Sequence, residues 1–311
     1  MLKKLLLLHL CSLLVFAATA QTLTTYTEAD GLIDDAVNCL AITIDDVVWF
    51  GTQNGVSSYD GTNWTDYNQA SEPGMAADVI TAIAIDSWGQ TWIGTDFGVS
   101  VYDGFTWYSY TEADGLGDNR VKYIFEDNSG TIWFGNNDGV SSWDGNNWQS
   151  FTTSDGLPFG GVNYVTHVAN GDLWFGTGLG GIVIYDGTNF SEITEADGLL
   201  NDKIRGIAVD GYDNKWVGTS DGVSVFGSGD VLMQNHTRIF ELPPPDTLNP
   251  VEDVKIDDHG NVWVGVYVDY LVTEGGVSMY NGLEWVQFEE SDGLAGPAVT
   301  QLAIDSENNI W

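Results

Sequence analysis

Positive charge is scarce in this chain. Nine Lys and Arg stand against 45 Asp and Glu, a formal net charge of −36 over 311 residues. Nucleic acid is excluded as a partner, because phosphate neutralisation needs clustered basic side chains. Cysteine is almost missing, with Cys11 and Cys39 alone. No disulfide framework can hold the fold, which leaves the work to an apolar core. Long apolar runs are lacking after residue 20, so the sequence offers no membrane-spanning helix there. No lipid-anchor motif is found at the C-terminus.

The first 20 residues differ from the rest. Lys3 and Lys4 precede an apolar stretch that ends on Ala18-Thr19-Ala20, the pattern of a secretory signal peptide. Cys11 lies inside it and lacks the small residues of a lipoprotein box. The expected mature chain, 21–311, carries 7 basic and 45 acidic residues, a formal charge of 7 − 45 = −38. Such a surface suits solubility outside the cell, bound Ca²⁺, or neutral and cationic ligands. Most of the aspartates also fall in turns, where Asp caps its own backbone.

What is abundant is repetition. Trp49, Trp92, Trp133, Trp174, Trp216, Trp263 and Trp311 recur at intervals of 43, 41, 41, 42, 47 and 48 residues. The surrounding residues recur with them: WFGTQNGVSSYDGTNW from Trp49, WIGTDFGVSVYDGFTW from Trp92, WFGNNDGVSSWDGNNW from Trp133 and WFGTGLGGIVIYDGTNF from Trp174. A period near 42 with short apolar runs and Gly-rich turns predicts four-stranded propeller blades, since a helical repeat would show 3.6-residue periodicity and little glycine.

Twelve residues before each tryptophan stand Val37, Ile80, Val121, Val162, Ile204, Val251 and Val299, all β-branched. Nine before stand Leu40, Ile83, Ile124, Val165, Ile207, Val254 and Leu302. This spacing defines an innermost strand packed between blades. Asp-rich hairpins such as 86–89 and 127–130 lead into the tryptophan strand. Gly55, Gly98, Gly139 and Gly222 precede the third strand, and the Asp-Gly pairs at 60–61, 103–104, 144–145 and 186–187 turn it into the fourth. The marker tryptophans are assigned to packing, each burying roughly 150–250 Å². Trp64, Trp107, Trp148 and Trp285, with Phe190, are assigned to covering the outer strand.

The expected fold is an all-β propeller with six complete blades at about 36–67, 78–110, 119–151, 162–193, 204–240 and 251–288. Residues 26–32 repeat residues 110–116 in type, so 22–27 reads as a fourth strand, and 298–311 reads as the first strand and hairpin of the same blade. The expectation is seven blades, the seventh composite and lacking its third strand, in a chain that stops before the natural protein does. Joining the two ends in one sheet removes open edges.

The pattern W-[FIV]-G-T-x-x-G-V-S-x-Y-D-G, followed by the D-G-L connector, resembles the two-component-regulator propeller repeat across essentially all of residues 22–311. The resemblance implies the extracytoplasmic sensor region of bacterial membrane-bound histidine kinases, often gut-bacterial regulators that recognise oligosaccharides. Similar arrays occur in exported or surface proteins with no kinase attached.

Catalytic patterns are weak. His167, His236 and His259 belong to different blades, and no H-E-x-x-H, Cys/His cluster or G-x-S-x-G elbow is present. A propeller lyase acting on a polysaccharide or cyclic peptide would need histidine and glutamate on one face, for which His236 and Glu252 are the candidates. His167 in a first-strand register and His259 in a hairpin turn suit structural roles. Asp210-Gly211-Tyr212-Asp213-Asn214 offers oxygens to Ca²⁺, but an Asx-turn explains it without metal, and no cofactor is expected.

Two loci suit ligand binding. The connector 241–250, with Asp246, and the loop after Trp263, with Tyr267, Asp269 and Tyr270, are insertions that fall on one face of an up-and-down propeller. Aromatic rings beside carboxylates suit carbohydrate or peptide, and tolerated surface insertion is the competing reading. The second locus is the channel mouth. Eleven residues before each tryptophan stand Asn38, Thr81, Lys122, Asn163, Arg205, Glu252 and Thr300, polar in every copy. Lys122 and Arg205 suit a carboxylate or sulfate, while a hydrated rim needs only polarity. The functional expectation is an exported, periplasmic or cell-surface module binding an oligosaccharide, peptide or protein partner, with a lyase or a purely structural surface array as alternatives.

Overall fold

The computed structural model describes residues 23–158, 161–240, 249–266 and 275–311. Six four-stranded antiparallel sheets are formed, each a simple meander in chain order. Their inner strands are Val37–Ile42, Ile80–Ile85, Val121–Glu126, Val162–His167, Ile204–Val209 and Val251–Ile256, and these define blades one to six. The second strand of each blade carries the marker tryptophan. Among the described residues no helix is long and apolar enough to cross a membrane.

The expectation of seven blades is corrected. Residues 23–27 form no strand, and 298–311 contribute only an isolated bridge between Ile304 and Ile310. A strand is defined by backbone partners. What links the two segments is side-chain packing: Tyr26 stacks on Trp311 at 5.9 Å, as Tyr67 stacks on Trp49 at 5.6 Å and Phe288 on Trp263 at 5.6 Å. The terminal segment nevertheless sits between blades six and one. Leu302 packs with Trp263 and Val277, while Ala303 and Trp311 pack with Leu40, Val48 and Phe50.

The core lies between blades, not within them. Cys39, Trp49 and Val56 of blade one, for example, pack with Ile80, Ile83 and Ile93 of blade two. Trp133 of blade three packs with Val162, Val165 and Phe175 of blade four. Close approach explains the glycine after each W-[FIV]. A Cβ on Gly94 would stand 2.8 Å from Val121 Cγ1, on Gly218 2.7 Å from Val251 Cγ1, and on Gly265 2.7 Å from Val299 Cγ1. The glycine of one blade therefore receives the β-branched residue that opens the next, and two separate features of the repeat become one contact.

The aspartates act largely as local caps. Asp86, Asp127, Asp210, Asp257 and Asp305 each accept the indole N–H of the tryptophan six residues on, at 2.8 to 3.3 Å. In the connectors, Thr111 and Asp114 form a capping box closed by Gly115 in the left-handed region, φ 119°. Three non-glycine residues at the tips of hairpins that lead into a tryptophan-bearing segment, Asp46, Asp213 and Asn308, are also left-handed. Each accepts a backbone N–H from the preceding hairpin: Ser306, Ala169 and Asp258, at 2.9, 3.0 and 2.9 Å. Their side-chain bonds offset the strain of positive φ.

Candidate functional site

The inner strand of every blade is irregular at its second residue. In the ladders with the second strand, register slips between Val37 and Cys39, Ile80 and Ala82, Val162 and Tyr164, Ile204 and Gly206, and Val251 and Asp253. In blade three the slip lies between the partners Val121 and Tyr123. The residue left out of the pairing is Asn38, Thr81, Asn163, Arg205, Glu252 and Lys122 respectively. A bulge re-aims the side chain of its extra residue. Together with Thr300, all six line one cavity of about 170 Å³ on the channel axis. Gln53, from the loop between second and third strands, donates to Asn38 Oδ1 at 3.0 Å, so the cavity opens on the face that bears those loops and the connectors.

The rim residues divide by their partners. Asn38 Nδ2 donates to the carbonyl of Ile80 at 2.8 Å, Thr81 Oγ1 to that of Val121, and Thr300 Oγ1 to that of Val37 at 3.3 Å. Each therefore ties its segment to the first residue of the next inner strand. The others bond among themselves: Lys122 Nζ donates to Asn163 Oδ1 at 3.2 Å, and Arg205 pairs with Glu252. Burial pushes the Lys122 ammonium below the usual lysine range, with Arg120 adding to the effect. Burial pushes the Glu252 carboxyl up, against the pull of Arg205.

Beneath the rim the channel narrows on polar and aromatic groups. The rings of Tyr123 and Tyr164 lie 4.2 Å apart. Lys255 Nζ reaches both oxygens of Asp253, at 2.9 and 2.8 Å, and Tyr164 OH at 3.2 Å. Burial alone would lower the Lys255 pKa, but the Asp253 carboxylate raises it above the ordinary value. Burial, reinforced by Asp253, raises that of Tyr164. Gln301 Oε1 accepts Leu40 N–H at 2.9 Å, and Asp253 Oδ2 accepts Leu302 N–H at 3.0 Å, so the terminal segment is tied to both neighbours inside the channel. Tyr164 also lines a second cavity, with Thr166, His167 and Lys255, towards the hairpin face.

The sequence brought the seven rim positions together but missed the groups that line the same cavity beneath them, among them Tyr123, Tyr164, Asp253 and Gln301. Arg120 and Lys203 each stand two residues before a rim cation, a doublet visible in the sequence. Asp253 and Lys255 form the buried pair below. Tyr267, Asp269, Tyr270 and Asp246 lie outside the described residues. The ends of their segments are pinned: Asn249 Oδ1 accepts the N–H of Ile239 and Phe240, and Val266 N–H reaches Gly276 O at 3.0 Å.

The candidate lyase pair is not assembled. His236 sits on the outer strand of blade five, stacked on Trp216 at 5.6 Å and accepting from Trp285 Nε1, whereas Glu252 is at the inner rim. Both Asp210 oxygens accept local donors, from Tyr212, Asn214 and Trp216, as an Asx-turn requires. Cys39 is buried and its thiol is pushed up to about 12 by burial, with Gly51 opposing.

Residues 115–138 match the family model described as two component regulator propeller. No curated protein sequence matches the chain. Among solved structures, the extracellular domain of a hybrid two component system from B. thetaiotaomicron is similar, with 18% identity and a TM-score of 0.76 over 93% of this chain and 40% of that one. Virginiamycin B lyase from Staphylococcus aureus, solved with quinupristin, has 16% identity and a TM-score of 0.67 over 89% and 90% of the two chains. PorZ, a surface component of the type-IX secretion system of Porphyromonas gingivalis, has 17% identity and a TM-score of 0.66 over 91% and 45%. The present chain spans about two fifths of the sensor structure, and at these identities the likeness is one of fold. The segment that matches the two component regulator propeller model, 115–138, holds Lys122 of the rim and the core Trp133.

Proposed function

We propose that this protein is an exported recognition module of the sensor type, taking an oligosaccharide or peptide on the face that bears the connectors and the channel mouth. The observation that carries this reading is the convergence of seven polar rim residues, six of them placed by a repeated bulge, on one cavity at that face. The similarity to a sensor's extracellular domain supports it, as does the signal-like segment 1–20. We further infer a ring of seven positions, the seventh held by 298–311 with Tyr26, because the packing of Leu302 and Trp311 treats that segment as a neighbour on both sides. Binding is favoured over lyase chemistry by the separation of His236 from Glu252.

The test is a glycan and peptide array probed with the protein, followed by calorimetry on the ligands found. Lys122→Gln, Tyr267→Ala or Tyr270→Ala should weaken binding while leaving the melting temperature within a degree or two. A ligand whose affinity survives all three substitutions would place recognition off this face.

A further inference from the structure

Seven basic residues follow position 20: Arg120, Lys122, Lys203, Arg205, Lys215, Arg238 and Lys255. Arg120 with Lys122 and Lys203 with Arg205 form two doublets at equivalent places in blades three and five, flanking Asn163 of blade four. Lys215 is consumed elsewhere, buried between Asp213 and Asp230. Two of the seven, Lys122 and Arg205, therefore line one cavity, while Arg120 is held by Asp118 outside that lining and Lys255 by Asp253 beneath it. In a confined, partly desolvated cavity such charges act more strongly than on an open surface.

The hydrogen-bonding groups point the same way. Asn163 accepts from Lys122 through Oδ1, and its Nδ2 makes no hydrogen bond among the described residues. Lys122 Nζ has three donors, of which that bond uses one. Arg205 meets a carboxylate that belongs to the protein itself, Glu252. We propose that the arc formed by Lys122, Asn163 and Arg205 is a site for a ligand carboxylate, and that Glu252 is the internal competitor that occupies Arg205 when the site is empty. The carboxylate comes either from a small free acid or from the end group of a longer ligand lying on this face. Guanidinium and ammonium donors suit that group, the first by its fork and the second as a point charge. This inference rests on the reading of the face as a recognition surface.

Calorimetry with galacturonate and galactose, which share a ring and differ in the carboxylate, tests it on the full chain. Galacturonate should bind and galactose should not. Lys122→Gln should weaken galacturonate about tenfold, and Glu252→Gln, which removes the competitor but keeps an acceptor for Arg205, should tighten it several-fold. Lys122→Met is the second variant if Lys122→Gln melts early. Binding of digalacturonate alone, with the same response to the variants, keeps the site and assigns the carboxylate to the end of a longer ligand. Failure of both acids to bind, equal binding of galactose, or a loss of affinity in Glu252→Gln overturns the proposal. A neutral array ligand that is lost in Tyr267→Ala but not in Lys122→Gln would overturn this site alone and leave the broader reading of the face standing.

Discussion

The two arcs of the channel rim occupy the same register and, in the six blades, the same bulge, yet they use their side chains differently. Asn38, Thr81 and Thr300 donate across the blade boundary to a main-chain carbonyl. On the other arc Lys122 donates to Asn163 and Arg205 pairs with Glu252, side chain to side chain. Polarity at the position is therefore satisfied in two ways, one that stitches neighbours together and one that leaves charged groups facing the cavity. The difference separates an arc that builds the fold from the arc proposed above for a ligand.

The largest effects calibrate that division. Trp133→Ala should lose about 3–5 kcal/mol, because the ring fills the boundary between blades three and four. Gly135→Ala should be comparably severe, since its Cβ would meet the Val162 carbonyl at 2.6 Å. A variant of the second arc that destabilised the protein on this scale, measured by denaturant titration, would erase the distinction. Next comes the first arc, of Asn38, Thr81 and Thr300. Thr81→Val removes a bond to a backbone carbonyl and should cost about 1 kcal/mol, whereas Lys122→Gln should stay within about 0.5 kcal/mol. Equal losses would merge the two arcs.

Titration sharpens the comparison further. Burial, opposed by Arg205 and Lys203 and reinforced by Asp253, raises the Glu252 pKa, so Glu252 becomes neutral early as pH falls and its charge no longer competes for Arg205. Affinity for a strong-acid anion such as sulfate should rise as pH drops through that elevated value, and Glu252→Gln should flatten the rise. At high pH affinity should fall as Lys122, lowered by burial and Arg120 and partly restored by Asp118, loses its proton below the usual lysine range. Fold stability follows another set of groups. Asp127, Asp257 and Asp305 are buried enough to be raised, but their hydrogen bonds hold them below the usual range. Folded values below unfolded ones confer stability that is present above the ordinary carboxylate pKa of about 3.9 and lost as pH falls through the folded values. Thermal melts should be flat near neutrality and drop in acid, in Lys122→Gln and the parent alike.

The smallest effects are expected at exposed or sealed positions. Trp88 is 87% exposed at a hairpin tip, and its replacement by Ala should move the melting point hardly at all. Cys39 should resist thiol reagents until the ring opens, because its thiol is buried and pushed up to about 12. Prompt labelling under native conditions would show that the boundary between blades one and two breathes.

Much of this was legible in the sequence because a blade repeats its contacts. Trp49, Trp92 and Trp133 mark one core position, and Val37 to Val299 mark the strand that meets the next blade. The polar rim could be listed by register alone. What could not be read was the bulge, since no residue type signals it when the position tolerates Asn, Thr, Lys, Arg and Glu equally. Nor could the sequence separate Thr81 from Asn163, because the difference lies in which acceptor is within reach. The count of seven blades went beyond the structure for a related reason: Tyr26 keeps the packing role of a fourth strand without the backbone partners that would make it one. Arg120 and Lys203 were visible as doublets but fell outside the register being counted.

Tyr164 lines the cavities on both sides of the channel's waist, where its ring lies 4.2 Å from that of Tyr123 and its hydroxyl accepts from Lys255 of the Asp253–Lys255 pair. Where those side chains close the waist, the ring is a cup and not a pipe. A molecule that enters at the rim must leave through the same doorway, past the same charged groups that admitted it. Residence time would thus be governed at the entrance: whatever covers that face, a second domain or a partner, would slow arrival and departure together without altering a single contact inside.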